Sequence, residues 1–179
     1  AYVSLALYEF VHYGTQEMLA KLNHAFDINY GFNGGYSEGA GYSQYIWDEA
    51  TYIFAAMKDA YASKSWTLNL SHNFMQSAEH MFNTSRPVGA LGNIPVEIDD
   101  GVTYKPDYRP WAKLKNDTKY LAMHQNYGMD NNKITTLVPF GVPNFTCNTN
   151  ECSLANLQDR MGRDPYLWTY FEDGVGVIS

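Results

Sequence analysis

The sequence predicts a mainly α-helical fold that gives way to β-structure at its carboxyl end. Apolar residues recur at spacings of three and four through most of the first 83 positions, as they do on one face of a helix. Proline and glycine then interrupt the helical pattern in "NTSRPVGALGNIP". The closing stretch "YLWTYFEDGVGVIS" alternates and is rich in β-branched and aromatic residues. The order of elements is therefore helical hairpins first, then β-structure.

The first elements are two predicted helical segments. Residues 2–12 form an apolar stretch that predicts a helix end or a short helix. Residues 15–28 predict a full helix, because their apolar side chains fall on one face. These side chains are Met18, Leu22, Ala25 and Phe26.

Two more helices are predicted before residue 84. The second spans 43–62, where Ser43 can cap the amino end and a wide apolar stripe indicates burial on more than one side. The stripe contains Ile46, Ala50, Ile53 and Met57, with Trp47, Phe54 and Tyr61 beside it. The third helix is predicted over 65–83, after the short break "ASKS". Helices joined by such short breaks are expected to pack antiparallel.

The rest of the chain is less regular. A fourth helix is predicted over 109–126, with Pro110 in its first turn. Residues 128–152 predict a long loop or a mixed segment, and 153–161 a short helix. The Asp-Gly pair at 173–174 predicts a turn between two strands.

Length, charge and composition exclude some classes of function. With 179 residues, 45% hydrophobic and 17% charged, the chain is long enough for one domain with a core. The net charge of −7 and scattered Lys and Arg argue against a nucleic-acid partner, and no apolar run is long enough to predict a membrane span. The 15 tyrosines fit either an aromatic core or a surface that stacks on sugar rings. Both ends look cut, so we expect the remainder of the same polypeptide as a partner.

Two cysteines, Cys147 and Cys152, lie in the polar sequence "CNTNEC". A disulfide between them is feasible, and the alternative is two free thiols in a loop. No Cys or His spacing in the sequence is typical of a metal site. We predict no metal and no cofactor.

The stretch "NGGYSEGAGYSQY", residues 33–45, is the most unusual part of the sequence. A plain connector between helices needs one glycine near the helix end, and this one has four. Three tyrosines and the single carboxylate of Glu38 accompany them. The pattern indicates a backbone that bends tightly and lets another group approach closely.

This loop resembles a motif of the heparinase II/III-like polysaccharide lyases, in which a helix leads into GG-aromatic-x-EG-x-x-Y-x-x-Y and a second helix follows. The matching residues are Gly34, Gly35, Tyr36, Glu38, Gly39, Tyr42 and Tyr45. Asn33 departs from the family, which often has Asp there. The end "YFEDGVGVIS" is similar, more weakly, to the strand that opens the family's β-sandwich.

The resemblance implies a fold and a domain organisation. It implies an incomplete (α/α) toroid of antiparallel helical hairpins at 1–127 and a connecting region at 128–164. The first strands of a β-sandwich domain would then occupy 165–179. It also implies a secreted or periplasmic enzyme acting on an acidic polysaccharide or oligosaccharide.

The family cleaves uronic-acid polysaccharides by β-elimination, with a tyrosine as acid or as both base and acid. By position after the Glu-Gly pair, the catalytic tyrosine maps best onto Tyr42, and Tyr45 is the second choice. Tyr36 and Glu38 would bind substrate. The alternatives are a tyrosine that packs on the next helix, and a carboxylate favoured by a helix amino end. The family's Asn-His partners lie upstream of the loop, and we find no counterpart here.

Arginine binds carboxylates bidentately, so Arg86 and Arg109 are the candidates for the uronate carboxylate. Surface solvation or helix ends are the alternative for both. Asp99 and Asp100 could bind substrate or a cation, or form a polar turn. Two other functions stay open: a non-catalytic carbohydrate-binding protein on the same scaffold, and a uronate epimerase.

Overall fold

The computed structural model describes the backbone of residues 2–85, 105–128, 169–170 and 177–178. Side chains are described over 12–85 and 105–128. The described part is helical, which confirms the mainly α prediction. Its elements are α1 (Tyr2–Asn29), α2 (Ala40–Ser63), α3 (His72–Asn83), α4 (Arg109–Lys115), α5 (Lys119–Tyr127), β1 (Thr169–Tyr170) and β2 (Val177–Ile178).

Helix α1 runs unbroken from Tyr2 to Asn29, where the sequence predicted two segments. Gly14 lies near the predicted division, and it is exposed with no other group near the position of a Cβ atom. A glycine inside a helix weakens it by about 1 kcal/mol relative to alanine, which a helix of this length tolerates.

The start of α2 differs from the prediction. Gly39 is the amino-terminal capping residue, with φ at 91°, and the helix begins at Ala40. Ser43, predicted as the cap, lies inside the helix and is buried, with its hydroxyl 3.1 Å from that of Tyr30. The amino end of α2 is therefore set by a backbone conformation that glycine adopts readily. The prediction of a Ser43 cap is wrong.

Helix α3 begins seven residues later than predicted. Ser65 has a positive φ of 57° just after the end of α2, and residues 66–70 are not helical. Ser71 then caps α3, because its hydroxyl accepts a hydrogen bond from the Phe74 amide at 3.2 Å. The predicted segment 65–83 thus contains a non-helical connector and a shorter helix.

The predicted fourth helix is two helices. Asn116 takes a left-handed conformation, with φ at 53°, and ends α4 before α5 starts at Lys119. Pro110 lies in the first turn of α4, as predicted. Lys58 of α2 donates from Nζ to the carbonyls of Lys113 and Leu114, at 2.7 and 2.9 Å, and so satisfies the end of α4.

The core between these helices is aromatic. Phe26 of α1 stacks on Phe74 of α3, with ring centroids 4.3 Å apart, and Phe54 of α2 meets Phe74 edge-on. Trp111 of α4 is fully buried, and its ring centroid lies 4.9 Å from that of Trp47. Helix α1 contacts α3, α2 contacts α4, and α4 contacts α5. Much of the high aromatic content therefore belongs to the core.

Near the carboxyl end, β1 and β2 pair antiparallel, with Thr169 opposite Ile178 and Tyr170 opposite Val177. The predicted short helix at 153–161 and the turn at 173–174 lie outside the described residues. So does nearly all of the predicted connecting region. Across the described stretches, every helix falls short of the length or apolarity needed to cross a bilayer.

Candidate functional site

The glycine loop between α1 and α2 is closed by its own backbone. Tyr30 and Tyr36 form an antiparallel bridge. Inside it, the Gly31 amide donates to the Gly35 carbonyl at 2.8 Å, and the Gly34 amide donates back to the Gly31 carbonyl at 2.8 Å. These bonds satisfy backbone groups that a connector would otherwise leave to water. The loop is therefore a folded turn with a defined conformation.

Helix α3 holds this turn from one side. Gly34 has a φ of 87°, and a Cβ atom there would lie 2.4 Å from the Ser77 amide nitrogen. The Asn73 side-chain amide donates to the Tyr30 carbonyl at 2.8 Å. Together with Gly39 at the start of α2, these contacts explain two of the four glycines by conformation and close approach.

Tyr42 and Tyr45, the predicted catalytic residues, lie on the first two turns of α2. They are three positions apart, and their ring centroids are 6.3 Å apart. Tyr42 is 38% and Tyr45 52% exposed, whereas Gly41, Ser43 and Gln44 beside them are buried. The helix therefore buries its small and amide-bearing positions and presents both phenols toward solvent.

Tyr36 and Glu38, the predicted substrate-binding residues, lie in the turn before α2. The Tyr36 ring is half-buried, 4.9 Å from that of Tyr30, and Glu38 is exposed. Burial raises the pKa of Tyr36, and the charge of Glu38 and a hydrogen bond with it raise the pKa further. The Tyr36 phenol therefore holds its proton in a hydrogen bond to the Glu38 carboxylate.

Arg109, predicted to bind a uronate carboxylate, binds Asp107 of its own chain instead. Its Nε lies 3.0 Å from Oδ1 of Asp107, and its Nη2 lies 2.5 Å from Oδ2. Its Nη2 also lies 3.3 Å from the Tyr52 hydroxyl. The guanidinium thus meets a carboxylate in the forked geometry expected of arginine, but the carboxylate is internal.

Asp107 is the centre of a buried polar cluster. It is 7% exposed, and it accepts hydrogen bonds from the Tyr52 hydroxyl and Arg109, with His124 Nδ1 3.3 Å from its Oδ1. Burial alone would raise the pKa of Asp107, but the hydrogen bonds from Arg109 and Tyr52 and the nearby cationic groups lower it. Burial and the neighbouring carboxylate raise the pKa of Tyr52.

Several predicted site residues lie outside the described residues: Arg86, Asp99, Asp100, Cys147 and Cys152. The described structure therefore brings together Tyr36, Glu38, Tyr42 and Tyr45 as one short segment, whereas Arg109 serves a different cluster. Over 12–85 and 105–128, no group of three or more His, Cys, Asp or Glu residues is placed to hold a metal ion.

Sequence reasoning missed one aromatic pair beside this segment. Phe32, in the loop, lies against His72 at the start of α3, with ring centroids 4.7 Å apart. Phe32 precedes the matched motif, and no role was predicted for His72. The signal that could have found Phe32 is a large apolar residue between Gly31 and Asn33, in a loop that is otherwise small and polar at that point.

The chain matches no protein-family model, and searches among curated proteins and among solved structures find no similar protein. No family is therefore shown for this chain. The likeness to heparinase II/III-like lyases stands on the loop residues and, more weakly, on the closing sequence "YFEDGVGVIS".

Proposed function

We propose that the chain is part of a polysaccharide lyase that cleaves a uronic-acid polysaccharide by β-elimination. The observation that carries the proposal is the exposed pair Tyr42 and Tyr45 directly after a folded glycine turn. A phenol that protonates a glycosidic oxygen must reach substrate from a fixed position. A helix start behind a turn held on α3 provides such a position.

The helix neighbours support an (α/α) toroid as the scaffold. α1 lies against α3 and α2 lies against α4, and α4 also lies against α5, the next helix along the chain. Two layers of alternating helices are what successive hairpins of a toroid produce. The antiparallel pair β1 and β2 is consistent with the first strands of a β-sandwich.

In the proposed reaction a base takes the C5 proton of the uronate, the electron pair left at C5 forms the C4–C5 double bond, and the C4–O bond breaks. The base is either the catalytic tyrosine itself, which then passes the proton on, or a group from the rest of the polypeptide. Tyr42 supplies the proton to the leaving oxygen, and Tyr45 is the second choice for this role. Tyr36 binds the sugar through its phenol oxygen, which can accept from a sugar hydroxyl while the phenol proton is donated to Glu38. Glu38, exposed beside it, orients a sugar hydroxyl.

The uronate carboxylate must be neutralised before its α-proton becomes acidic enough to remove. Arg109 is a poor candidate, because its guanidinium is bound to Asp107. Arg86 remains the candidate from this chain, together with groups from the rest of the polypeptide. The net charge of −7 requires that the positive charge be local to the cleft. For an acidic polysaccharide substrate we propose a secreted or periplasmic enzyme.

The test is ultraviolet absorbance of the unsaturated uronate product, measured with the full-length protein on alginate, hyaluronan and heparan sulfate. Tyr42→Phe should lower the rate by about 10²- to 10⁴-fold, the usual contribution of general acid catalysis. Tyr45→Phe is the matched control, with the same atom removed one helical turn away. Full activity in Tyr42→Phe combined with loss in Tyr45→Phe would move the acid to Tyr45.

A second function is favoured by the exposure of both tyrosine rings. A non-catalytic carbohydrate-binding protein would use them as stacking platforms, and Phe would replace Tyr with little loss of binding. Binding without any product in the parent protein would support this function. An epimerase would instead invert C5 without cleavage, which analysis of the sugar products detects.

A further inference from the structure

Phe32 is a large apolar side chain placed on the surface of an otherwise well-packed loop. It is 62% exposed, although Tyr30 and Phe74 nearby are buried in the aromatic core. An isolated exposed apolar residue is common on proteins. Phe32 differs because its ring and its backbone are both held in place.

The ring is held by His72, the first residue of α3. The two ring centroids are 4.7 Å apart, and the ring planes are inclined by 35°. One face of Phe32 is thus backed by an imidazole. Since most of the side chain is exposed, the opposite face is open to a flat partner.

The backbone is held by the turn that contains it. The bond between Gly31 and Gly35 closes the turn around Phe32, and Asn73, next to His72, donates to the Tyr30 carbonyl. Because the loop is already held in one conformation, a partner that stacks on Phe32 does not have to order it. The entropic cost of binding is lower for that reason.

We propose that the open face of Phe32, backed by His72, is a stacking subsite for one pyranose ring of the saccharide, a proposal that rests on the proposed function. The bond between Gly31 and Gly35 limits the Phe32 and Tyr36 Cα atoms to about 13 Å apart. A short oligosaccharide that contacts Tyr36 is therefore long enough to reach Phe32 as well.

A carboxylate at the amino end of α3 disfavours an anion at the Phe32 subsite. Asp27 accepts a hydrogen bond from the hydroxyl of Ser71, the residue before His72, at 2.5 Å, so a carboxylate lies at this end of α3. The contact should therefore be made by the C–H face of a pyranose and not by its carboxylate. Ile28 is also exposed, and it provides a test of whether any apolar group at this end of α1 serves equally well.

The experiment measures calorimetric binding of alginate and hyaluronan hexasaccharides to the full-length protein carrying both Tyr42→Phe and Tyr45→Phe, so that neither candidate acid cleaves the probe during the titration. Phe32→Leu keeps an apolar side chain but removes the flat ring, so it should weaken hexasaccharide binding about five- to thirtyfold. Phe32→Trp should bind at least as tightly as the parent. Ile28→Ala is the matched control and should leave binding unchanged.

Unchanged binding in Phe32→Leu would overturn the subsite, and so would an equal loss in Ile28→Ala. If Phe32→Leu leaves the KM of an active lyase unchanged, the subsite is wrong and the proposed lyase function stands. If binding depends on Phe32 but the protein that retains Tyr42 forms no unsaturated product, the lyase function is wrong and the subsite stands. Absence of both binding and product would overturn both proposals.

Discussion

The backbone of Gly34 packs directly on the backbone of Gln76. A Cβ atom at Gly34 would lie 2.3 Å from the Gln76 carbonyl carbon, which is far inside van der Waals contact. Gln76 lies in the middle of α3, whose backbone cannot move without loss of the helix. The glycine turn that carries the candidate site is therefore positioned by a contact between two main chains.

Gly34→Ala should lower the free energy of unfolding by about 2–4 kcal/mol, because it adds a clash to an unfavourable positive φ. Denaturant unfolding followed by circular dichroism measures the change. Gly14→Ala is the control, since nothing surrounds that position in α1. It should raise stability by about 0.5–1 kcal/mol. Equal stability of Gly34→Ala and the parent would contradict the packing described.

The helices themselves were predictable, because apolar periodicity reports burial on one face whatever packs against it. Their boundaries were less so. Ser43 looked like a cap, but the left-handed backbone at Gly39 starts α2 one turn earlier. Asn116 divides the predicted fourth helix through a left-handed conformation that asparagine adopts only where the surroundings favour it.

The candidate site was predictable only where it is local in sequence. Tyr36, Glu38, Tyr42 and Tyr45 lie in one segment, so the motif brought them together. Arg109 pairs with a carboxylate only two residues away, which the sequence alone could suggest. That the pair is internal and cannot serve substrate follows from the contact with Tyr52 of α2 and from the burial of Asp107. Such long-range contacts leave no periodic pattern in the sequence.

Breaking the buried pair at Asp107 should be far more damaging than breaking an exposed one. Asp107→Asn leaves the Arg109 guanidinium without its counter-charge, and we expect a loss of about 3–5 kcal/mol in the free energy of unfolding. Asp59→Asn removes a carboxylate that pairs with Lys113 but is itself exposed, and should cost less than about 1 kcal/mol. Urea unfolding of both variants compares them directly. Similar losses would show that burial of Asp107 carries no special weight.

Lys58 should stabilise the fold through the end of α4. Its ammonium bonds two carbonyls at the end of α4, of which that of Lys113 also accepts from the Asn116 amide at 3.3 Å. Lys58→Met keeps the aliphatic stem while removing both bonds of the ammonium. Hydrogen bonds to charged groups contribute about 1.5–3 kcal/mol, so we expect a loss in that range. Lys21→Met, in an exposed pair with Glu17, is the control and should change stability by under about 0.5 kcal/mol. A thermal or urea melt that ranks the two variants equally would contradict this role.

The lowered pKa of Asp107 makes a defined part of the stability dependent on pH. In the unfolded chain this carboxyl has an ordinary pKa near 3.8, and in the folded protein the pKa is lower. Between the two values the unfolded state binds more protons, so stability rises with pH across that window. The contribution of Asp107 is complete above pH 3.8 and is lost as the pH falls through the folded value.

Urea unfolding of the parent and of Asp107→Asn from pH 6 to pH 2 tests this dependence. The difference in stability between them should be constant above about pH 5 and should shrink below about pH 4, because asparagine does not titrate. The other carboxylates titrate in both proteins, so their effects cancel in the difference. The difference between the parent and Asp59→Asn should change much less, since that carboxylate is exposed. A constant difference for Asp107→Asn down to pH 2 would mean that its carboxylate is not favoured by the fold.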